Sequence, residues 1–390
     1  MKTLNVFFIR ILFIVISSLS VTSYAESIIV GAEQSAEFLP LLQGEKVGLI
    51  VNQTSMVDGQ HLVDFLLSKH VDIKYIFAPE HGFRGDHDAG SFVKDNIDPL
   101  TQLPVISIYG KNKKPPEDLI KQLDVIIFDI QDVGVRFYTY LSSMHYMMEA
   151  AADAGKRFIV FDRPNPNIKF VNGPILLAQF SSFVGMHPIP VLHGMTLGEL
   201  ATMIKGEGWL ASKNTLDLQV VAVKNYTRNS SYSLPVKPSP NLPNDKSIQL
   251  YPSLTFFEST VVSVGRGTDF PFQVIGHNKH FIGDFQFTPI SMKGSALKPK
   301  LMNNLLTGQD LRSSKIHGLD LQPLVQWYKI FEKHKKVFFK HPEFMDKLAG
   351  TDKLRKSIQS GDSIQQIEAS WQPGLTNFKQ LRGQYLIYPN

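Results

Sequence analysis

Cysteine is absent from all 390 residues. That single absence removes disulfide scaffolds, thiolate zinc sites, iron–sulfur clusters and a cysteine nucleophile together. Charge of one sign is scarce too. Forty Lys and Arg against 35 Asp and Glu leave a formal net charge of +5, and the basic residues are scattered, so nothing resembles a nucleic-acid footprint. The glycine motifs of nucleotide chemistry are missing: the turn at 52–59 (NQTSMVDG) lacks G-x-G-x-x-G, and Gly265-Arg266-Gly267-Thr268 has neither the spacing nor the lysine of a phosphate loop. No G-x-S-x-G elbow presents a serine nucleophile. Apolar runs long enough for a bilayer are lacking as well, so no stable membrane insertion is expected. One shorter run, 11–21, stands between Lys2 and the small-residue site Ser23-Tyr24-Ala25. This pattern predicts a secretory signal peptide over 1–25 cleaved near Ala25, and export to a periplasm or the extracellular space.

What remains is a chain with 43% hydrophobic and 19% charged residues, enough to bury a large core. Short β-branched runs at 47–51, 73–78, 105–109, 125–130 and 158–161 alternate with helical periodicity at 61–69, 117–122 and 137–154. Such alternation predicts an α/β fold with a mostly parallel sheet covered by helices on both faces. From about residue 180 the sequence turns loop-rich and Pro-punctuated, with a polyproline-like connection at 234–243 (LPVKPSPNLP). A second domain is expected to begin near Gln249, with helices around 323–333 and 342–348.

Ligands of open α/β sheets sit at the carboxyl ends of the strands. Here all five predicted strands run into polar clusters: Asn52-Gln53-Thr54, Pro79 to Gly85 (PEHGFRG), Tyr109-Gly110-Lys111, Asp129 to Tyr138 (DIQDVGVRFY) and Asp162 to Pro166 (DRPNP). Any one cluster is equally well read as helix caps and solvated loop. Five on one rim concentrate carboxylates, amides and arginines as a binding site does. His81, Asp86, His87 and Asp88 invite a metal, but their spacing is irregular and Arg84 sits among them, so neither metal nor other cofactor is expected. Paired carboxylates suit glycoside hydrolysis, in which one protonates the leaving oxygen and one stays ionised. Glu80, Asp129, Asp132 and Asp162 at strand ends, and Glu258 in a later apolar run, are the candidates, each with an ion pair to Arg84, Arg136 or Arg163 as the structural alternative.

The strings PEHGFRG (79–85), DIQDVGVRFYTY (129–140), DRPNP (162–166), HGMTLGEL (193–200), PSPN (238–241) and GRGT (265–268), in this order, resemble the exo-β-N-acetylmuramidase NamZ family. The resemblance implies a Rossmann-like catalytic domain without nucleotide over 26–248 and a smaller α+β C-terminal domain over 249–390 that helps close the cleft. It implies an exo-acting hydrolase that removes β-1,4-linked N-acetylmuramic acid (MurNAc) from the non-reducing ends of peptidoglycan fragments, its partners being MurNAc-GlcNAc disaccharides and oligomers. Glu80 is then the catalytic acid, His81 its orienting neighbour and Asp129 the second carboxylate, with Glu258 as competitor. Asn52, Thr54, Gln131, Asp132 and Tyr138 are expected in the same pocket. Arg84 or Arg136 is expected to grip the lactyl carboxylate, with Arg266 as the alternative and Arg163 as a loop-holding ion-pair member. The competing reading is a non-catalytic muropeptide-binding protein of the periplasm.

Overall fold

The computed structural model describes residues 26–84 and 95–390. The expected signal peptide, and Asp86, His87 and Asp88, lie outside the described residues. A seven-stranded sheet forms the larger part: β1 (Lys46–Val51), β2 (Asp72–Ala78), β3 (Asn96–Ile97), β4 (Pro104–Ser107), β5 (Val125–Asp129), β6 (Arg157–Phe161) and β7 (Asp217–Val221). Their spatial order is β3-β4-β2-β1-β5-β6-β7. All pairings are parallel except β3 with β4. The sheet is therefore the mostly parallel α/β sheet expected, extended by two edge strands that the sequence does not announce. β3 is two residues long, and β7 carries Asp217 and Gln219 within its run.

Alternation along the strands divides the apolar side chains between the two faces. Val125 and Ile127 pack with Val47, Leu49 and α1 (Leu62–Ser68), whereas Ile126 and Phe128 pack with α3 (Tyr140–Asp153) and α4 (Leu197–Gly206), α2 (Glu117–Lys121) lying before β5. Every residue of β5 is buried, and each fully buried Ile or Phe contributes about 1.5–3 kcal/mol. α1 starts where the sequence places it because His61 caps it, Nδ1 accepting from the Val63 amide at 3.2 Å. α3 starts three residues later than its periodicity suggests. Arg136 donates its amide to Val191 and Tyr138 donates to Val135, so 136–139 is a turn that brings Phe137, Tyr138 and Thr139 to the rim.

The smaller part begins with α5 (Asp245–Leu254), which spans the point where a second domain was expected to begin. It continues through an antiparallel sheet of β8 (Val274–His277), β9 (Phe285–Phe287) and β10 (Leu306–Asp310), ordered β8-β10-β9. The helices α6 (Gln322–Lys333), α7 (Pro342–Ala349), α8 (Lys353–Ser360) and α9 (Ile364–Arg382) follow. One apolar cluster runs from Phe128 and Met144 through Leu250, Phe257 and Trp327 to Phe378, so the two parts share a core. The C-terminal segment then returns to the large sheet. Tyr388 Oη donates to Asp162 Oδ2 at 2.6 Å and accepts from the Val223 amide at 2.9 Å.

Candidate active site

The parallel strands bring their carboxyl ends to one rim, and three of them converge on Glu80. β2 ends at Ala78, and the chain turns sharply through Pro79-Glu80-His81-Gly82, closed by the Gly82 amide on the Pro79 carbonyl at 3.0 Å. His81 holds φ +70° and Gly82 φ +77°. A left-handed residue other than glycine costs about 1 kcal/mol or more and marks a backbone whose direction is imposed by its surroundings. The Glu80 carboxylate accepts from Tyr109 Oη at 2.9 Å on one oxygen and from Thr139 Oγ1 at 2.7 Å on the other. Tyr109 follows β4 and Thr139 ends the turn before α3. Burial and the Glu80 charge hold the Tyr109 phenol well above its usual range, so it remains a donor.

Glu80 lines a cleft of about 880 Å³ between the two parts of the molecule. On its other side stand Glu258, Arg266, Lys298 and Lys300, with Phe183, Val184 and Leu297 as apolar wall. Glu258 sits on a 3-10 turn, Thr255–Ser259, and accepts from Arg266 Nε at 3.2 Å. The Arg266 guanidinium lies 4.9 Å from the Phe272 ring. Lys300 Nζ ties the turn down by donating to the carbonyls of Phe257 (2.9 Å), Thr260 (2.6 Å) and Val262 (3.1 Å). Burial lowers the Lys300 ammonium to about 8. Below Glu80 the cleft deepens into a cavity of about 70 Å³ walled by Phe137, Tyr251 and Phe272 and reached by Asn241.

The other expected site residues lie elsewhere on the rim. Asp129 has no exposed surface and is held end-on by Arg163, Nε at 2.5 Å and Nη2 at 2.9 Å. It does not line the cleft. This replaces the expected role of Asp129 as second carboxylate with an ion pair that locks β5 to β6, and Arg163 takes Asp129 rather than the adjacent Asp162 as its partner. Arg136 is likewise sealed. Its guanidinium donates to the carbonyls of Pro174 (2.8 Å), Ile189 (2.6 Å) and Leu348 (3.0 Å), the last belonging to the C-terminal turn of α7. Lactyl recognition by Arg136 is excluded by this burial. Arg84 forms an ion pair with Asp98 at 3.0 Å and stacks over Phe83 at 4.1 Å.

Asn52 and Thr54 form a network beneath the rim. Thr54 donates its amide (2.9 Å) and hydroxyl (2.6 Å) to Asn52 Oδ1 and accepts the Gln131 amide at 3.0 Å. Gln131 Nε2 holds the carbonyls of Asp132 and Pro164. Asp132 Oδ1 accepts from the Gly134 amide at 2.6 Å, and burial pushes its carboxyl up to about 7. These residues shape the turn instead of touching the cleft. Tyr138 does reach the deep cavity, with its hydroxyl donating to Pro238 O at 2.7 Å. DRPNP and HGMTLGEL meet at a structural joint, where Asp162 accepts from Thr196 Oγ1 and the Gly198 amide at the start of α4.

Sequence reasoning passed over Tyr109, Thr139, Asn241, Tyr251, Lys298 and Lys300. Tyr109, Thr139 and Asn241 lie inside strings already singled out. Lys298 and Lys300 stand in an unremarkable polar stretch, and only the packing brings them to the cleft. Among the described residues, no group of three or more His, Asp or Glu is placed to hold a metal ion. Nor is any described helix long and apolar enough to cross a membrane.

Comparison with known proteins agrees with this architecture. The family model for the N-terminal part of exo-β-N-acetylmuramidase NamZ matches residues 47–246 and that for its C-terminal part residues 249–388. The peptidoglycan β-N-acetylmuramidase NamZ of Bacillus subtilis is 38% identical over 373 residues, 89% of this chain and 88% of that protein. A DUF1343 family protein from Bacteroides fragilis superposes with TM-score 0.85 at 42% identity, covering 94% of this chain and all of the other. A second from the same species gives TM-score 0.80 at 27% identity, covering 93% and 99%. With both family segments spanning nearly all of the sheet, the cleft and the helices that close it, this chain belongs to the exo-β-N-acetylmuramidase NamZ family.

Proposed function

We propose that the protein is an exo-acting glycoside hydrolase that releases β-1,4-linked MurNAc from the non-reducing ends of peptidoglycan fragments. The observation that carries this reading is a carboxylate, Glu80, held by two hydroxyls in a cleft whose opposite wall is cationic. MurNAc differs from N-acetylglucosamine by a lactyl ether with a carboxylate, and a discriminating pocket must pair that charge. Arg266 and Lys298 supply it. Arg266 engages Glu258 through Nε, which leaves its terminal nitrogens' edge for a second carboxylate, so Arg266 takes the lactyl role for which Arg84 and Arg136 were first candidates.

Glu80 acts as general acid on the glycosidic oxygen, and Tyr109 and Thr139 fix its direction. Glu258 is the second carboxylate, and it serves the opposite face of the sugar with Arg266 orienting it. Membership of a family described as exo-acting supports removal of a terminal sugar over cleavage within a chain. The N-terminal 25 residues support export, so the enzyme meets fragments outside the cytoplasm. The alternative is capture of muropeptides without turnover.

Purified protein incubated with a chromogenic β-MurNAc glycoside, and separately with MurNAc-GlcNAc, should release the aglycone and free MurNAc. Saturable binding with no release would select the binding protein instead. Release from the interior of long glycan strands at the same rate as from their ends would overturn the exo assignment.

A further inference from the structure

The cavity below Glu80 is a distinct compartment with its own chemistry. Asn241 lies at its side, only 3% exposed. Asn241 Nδ2 donates to the Ser295 carbonyl at 2.9 Å. That bond settles the amide's orientation and leaves Oδ1 as a buried acceptor with no partner among the described residues. A buried unpaired acceptor costs about 1–3 kcal/mol, and such a cost is sustained where a ligand supplies the missing donor. The loop that carries Asn241 is tightly held. Leu242 donates its amide to Ser239 O at 3.1 Å, and Pro238 O accepts from Gln53 Nε2 (3.2 Å) and Tyr138 Oη (2.7 Å). Oδ1 is therefore preorganised.

Around it an apolar wall of Phe137, Tyr251, Phe272 and Leu242 faces polar groups that include Glu80, Thr139, Ser239 and Arg266. The volume, about 70 Å³, corresponds to roughly five water-sized probes at about 10–15 Å³ each. The occupant is therefore a small group of about four or five heavy atoms with one N–H or O–H donor and an apolar end. Glu80, Thr139, Phe137, Tyr251 and Arg266 border both this cavity and the larger cleft, so its occupant hangs from a carbon adjacent to the reacting centre.

We propose that this cavity is the acetamido subsite of the sugar whose bond is broken, with Asn241 Oδ1 accepting from the amide N–H and the aromatic wall receiving the methyl group. The inference rests on the glycosidase reading above and deepens it. The acetamido group is on the carbon next to the anomeric centre, is neutral and carries one donor beside a methyl. The lactyl substituent is one carbon further on and too large for the cavity, and Arg266, which borders both spaces, is free to meet its carboxylate on the cleft side. Asn241 thus becomes a specificity-determining residue, tied through Ser295 to the smaller part of the molecule.

The test uses three aryl β-glycosides that share the lactyl ether and differ at the 2-position: N-acetyl, N-butyryl and hydroxyl. With the wild-type protein, kcat/KM should fall by at least about thirtyfold from N-acetyl to either of the others, because the cavity has no room for two more carbons and the hydroxyl does not reach Oδ1. Calorimetric affinities of the free sugars should follow the same order. In N241A, kcat/KM on the N-acetyl substrate should drop by about ten- to a hundredfold while the hydroxyl substrate changes by no more than about twofold. Equal losses on both substrates would mean that Asn241 only tethers Ser295, and a flat wild-type series would overturn the subsite outright. Turnover with a flat series overturns the subsite alone. Absence of turnover with N-acetyl-dependent binding overturns the hydrolase while the subsite stands.

Discussion

The pairing of Asp129 with Arg163 decides between a catalytic and a structural role for the strand-end carboxylate, and the two roles predict opposite measurements. Asp129 has no exposed surface and receives two charge-assisted bonds, at 2.5 and 2.9 Å. Replacing Asp129 by Ala leaves the Arg163 guanidinium with one remaining acceptor, the Met56 carbonyl at 3.2 Å. Breaking one partner of a buried ion pair costs about 3–5 kcal/mol, a large share of the roughly 5–15 kcal/mol that holds a domain together. Arg163→Met should cost about the same. The double variant removes both charges, so it should be more stable than the sum of the two losses implies, by about 2–4 kcal/mol. Ser55 Oγ bonds to the backbone carbonyl of Asp129 at 2.5 Å and is unaffected by either change. The assay is urea unfolding of the four proteins combined with kcat per folded molecule on a β-MurNAc glycoside. A strong coupling with kcat within a few-fold of wild type is expected. Asp129→Ala with normal stability and a kcat reduced by two orders of magnitude or more would refute the argument and restore Asp129 to the chemistry.

Glu80→Gln keeps the shape and the Tyr109 and Thr139 contacts but cannot donate a proton. Turnover should fall by roughly two to four orders of magnitude on a poor leaving group, with an unchanged melting curve. Arg266→Met should weaken MurNAc processing by about 2–5 kcal/mol in transition-state terms and barely alter the low activity on a matched N-acetylglucosamine glycoside, as measured by kcat/KM on both sugars. The Asp132 carboxyl is raised from 3.8 to about 7 by burial, so between about pH 4 and 7 the folded state binds a proton that the unfolded state has released. Stability should therefore fall as pH rises through that window, and Asp162, pushed up to about 6, adds in the same direction. Asp132→Asn should be close to neutral at pH 4 and stabilising at pH 8 by up to roughly 4 kcal/mol, read from urea midpoints at the two pH values. An equal effect at both would disprove it.

The sheet was legible because its central strands are mostly buried. Val125 to Asp129 is apolar until its last residue, and no alternative element suits five such residues between turns. Edge strands were not, since β3 and β7 face solvent and owe their pairing to neighbours rather than to their own pattern. Among site residues, Glu80 could be read from its strand end. Asp129 ranked above Glu258 in the sequence, because a carboxylate after a strand looks the same whether it faces a cleft or an arginine. The deciding partner, Arg163, lies 34 residues away in sequence. Arg136 misled for the same reason: its three acceptors are carbonyls, and no sequence pattern marks a carbonyl as turned inward.

The return of Tyr388 to the large sheet has a consequence for the order in which the molecule can be finished. Asp162 ends a central strand, yet one of the groups that neutralises its burial arrives 226 residues later. Glu199, at the start of α4, likewise waits for the amides of Ile387 and Tyr388. At roughly 5–20 residues per second, the ribosome needs on the order of 10 to 45 s to supply them. Until then the joint between β6, β7 and α4 holds two buried carboxylates short of donors. The first half of the chain can collapse during synthesis but cannot reach its final stability alone, and a chaperone that binds the nascent protein has that interval in which to act. The last few residues serve as a latch: removing the Tyr388 hydroxyl should loosen the N-terminal sheet before it disturbs the helices that immediately precede it.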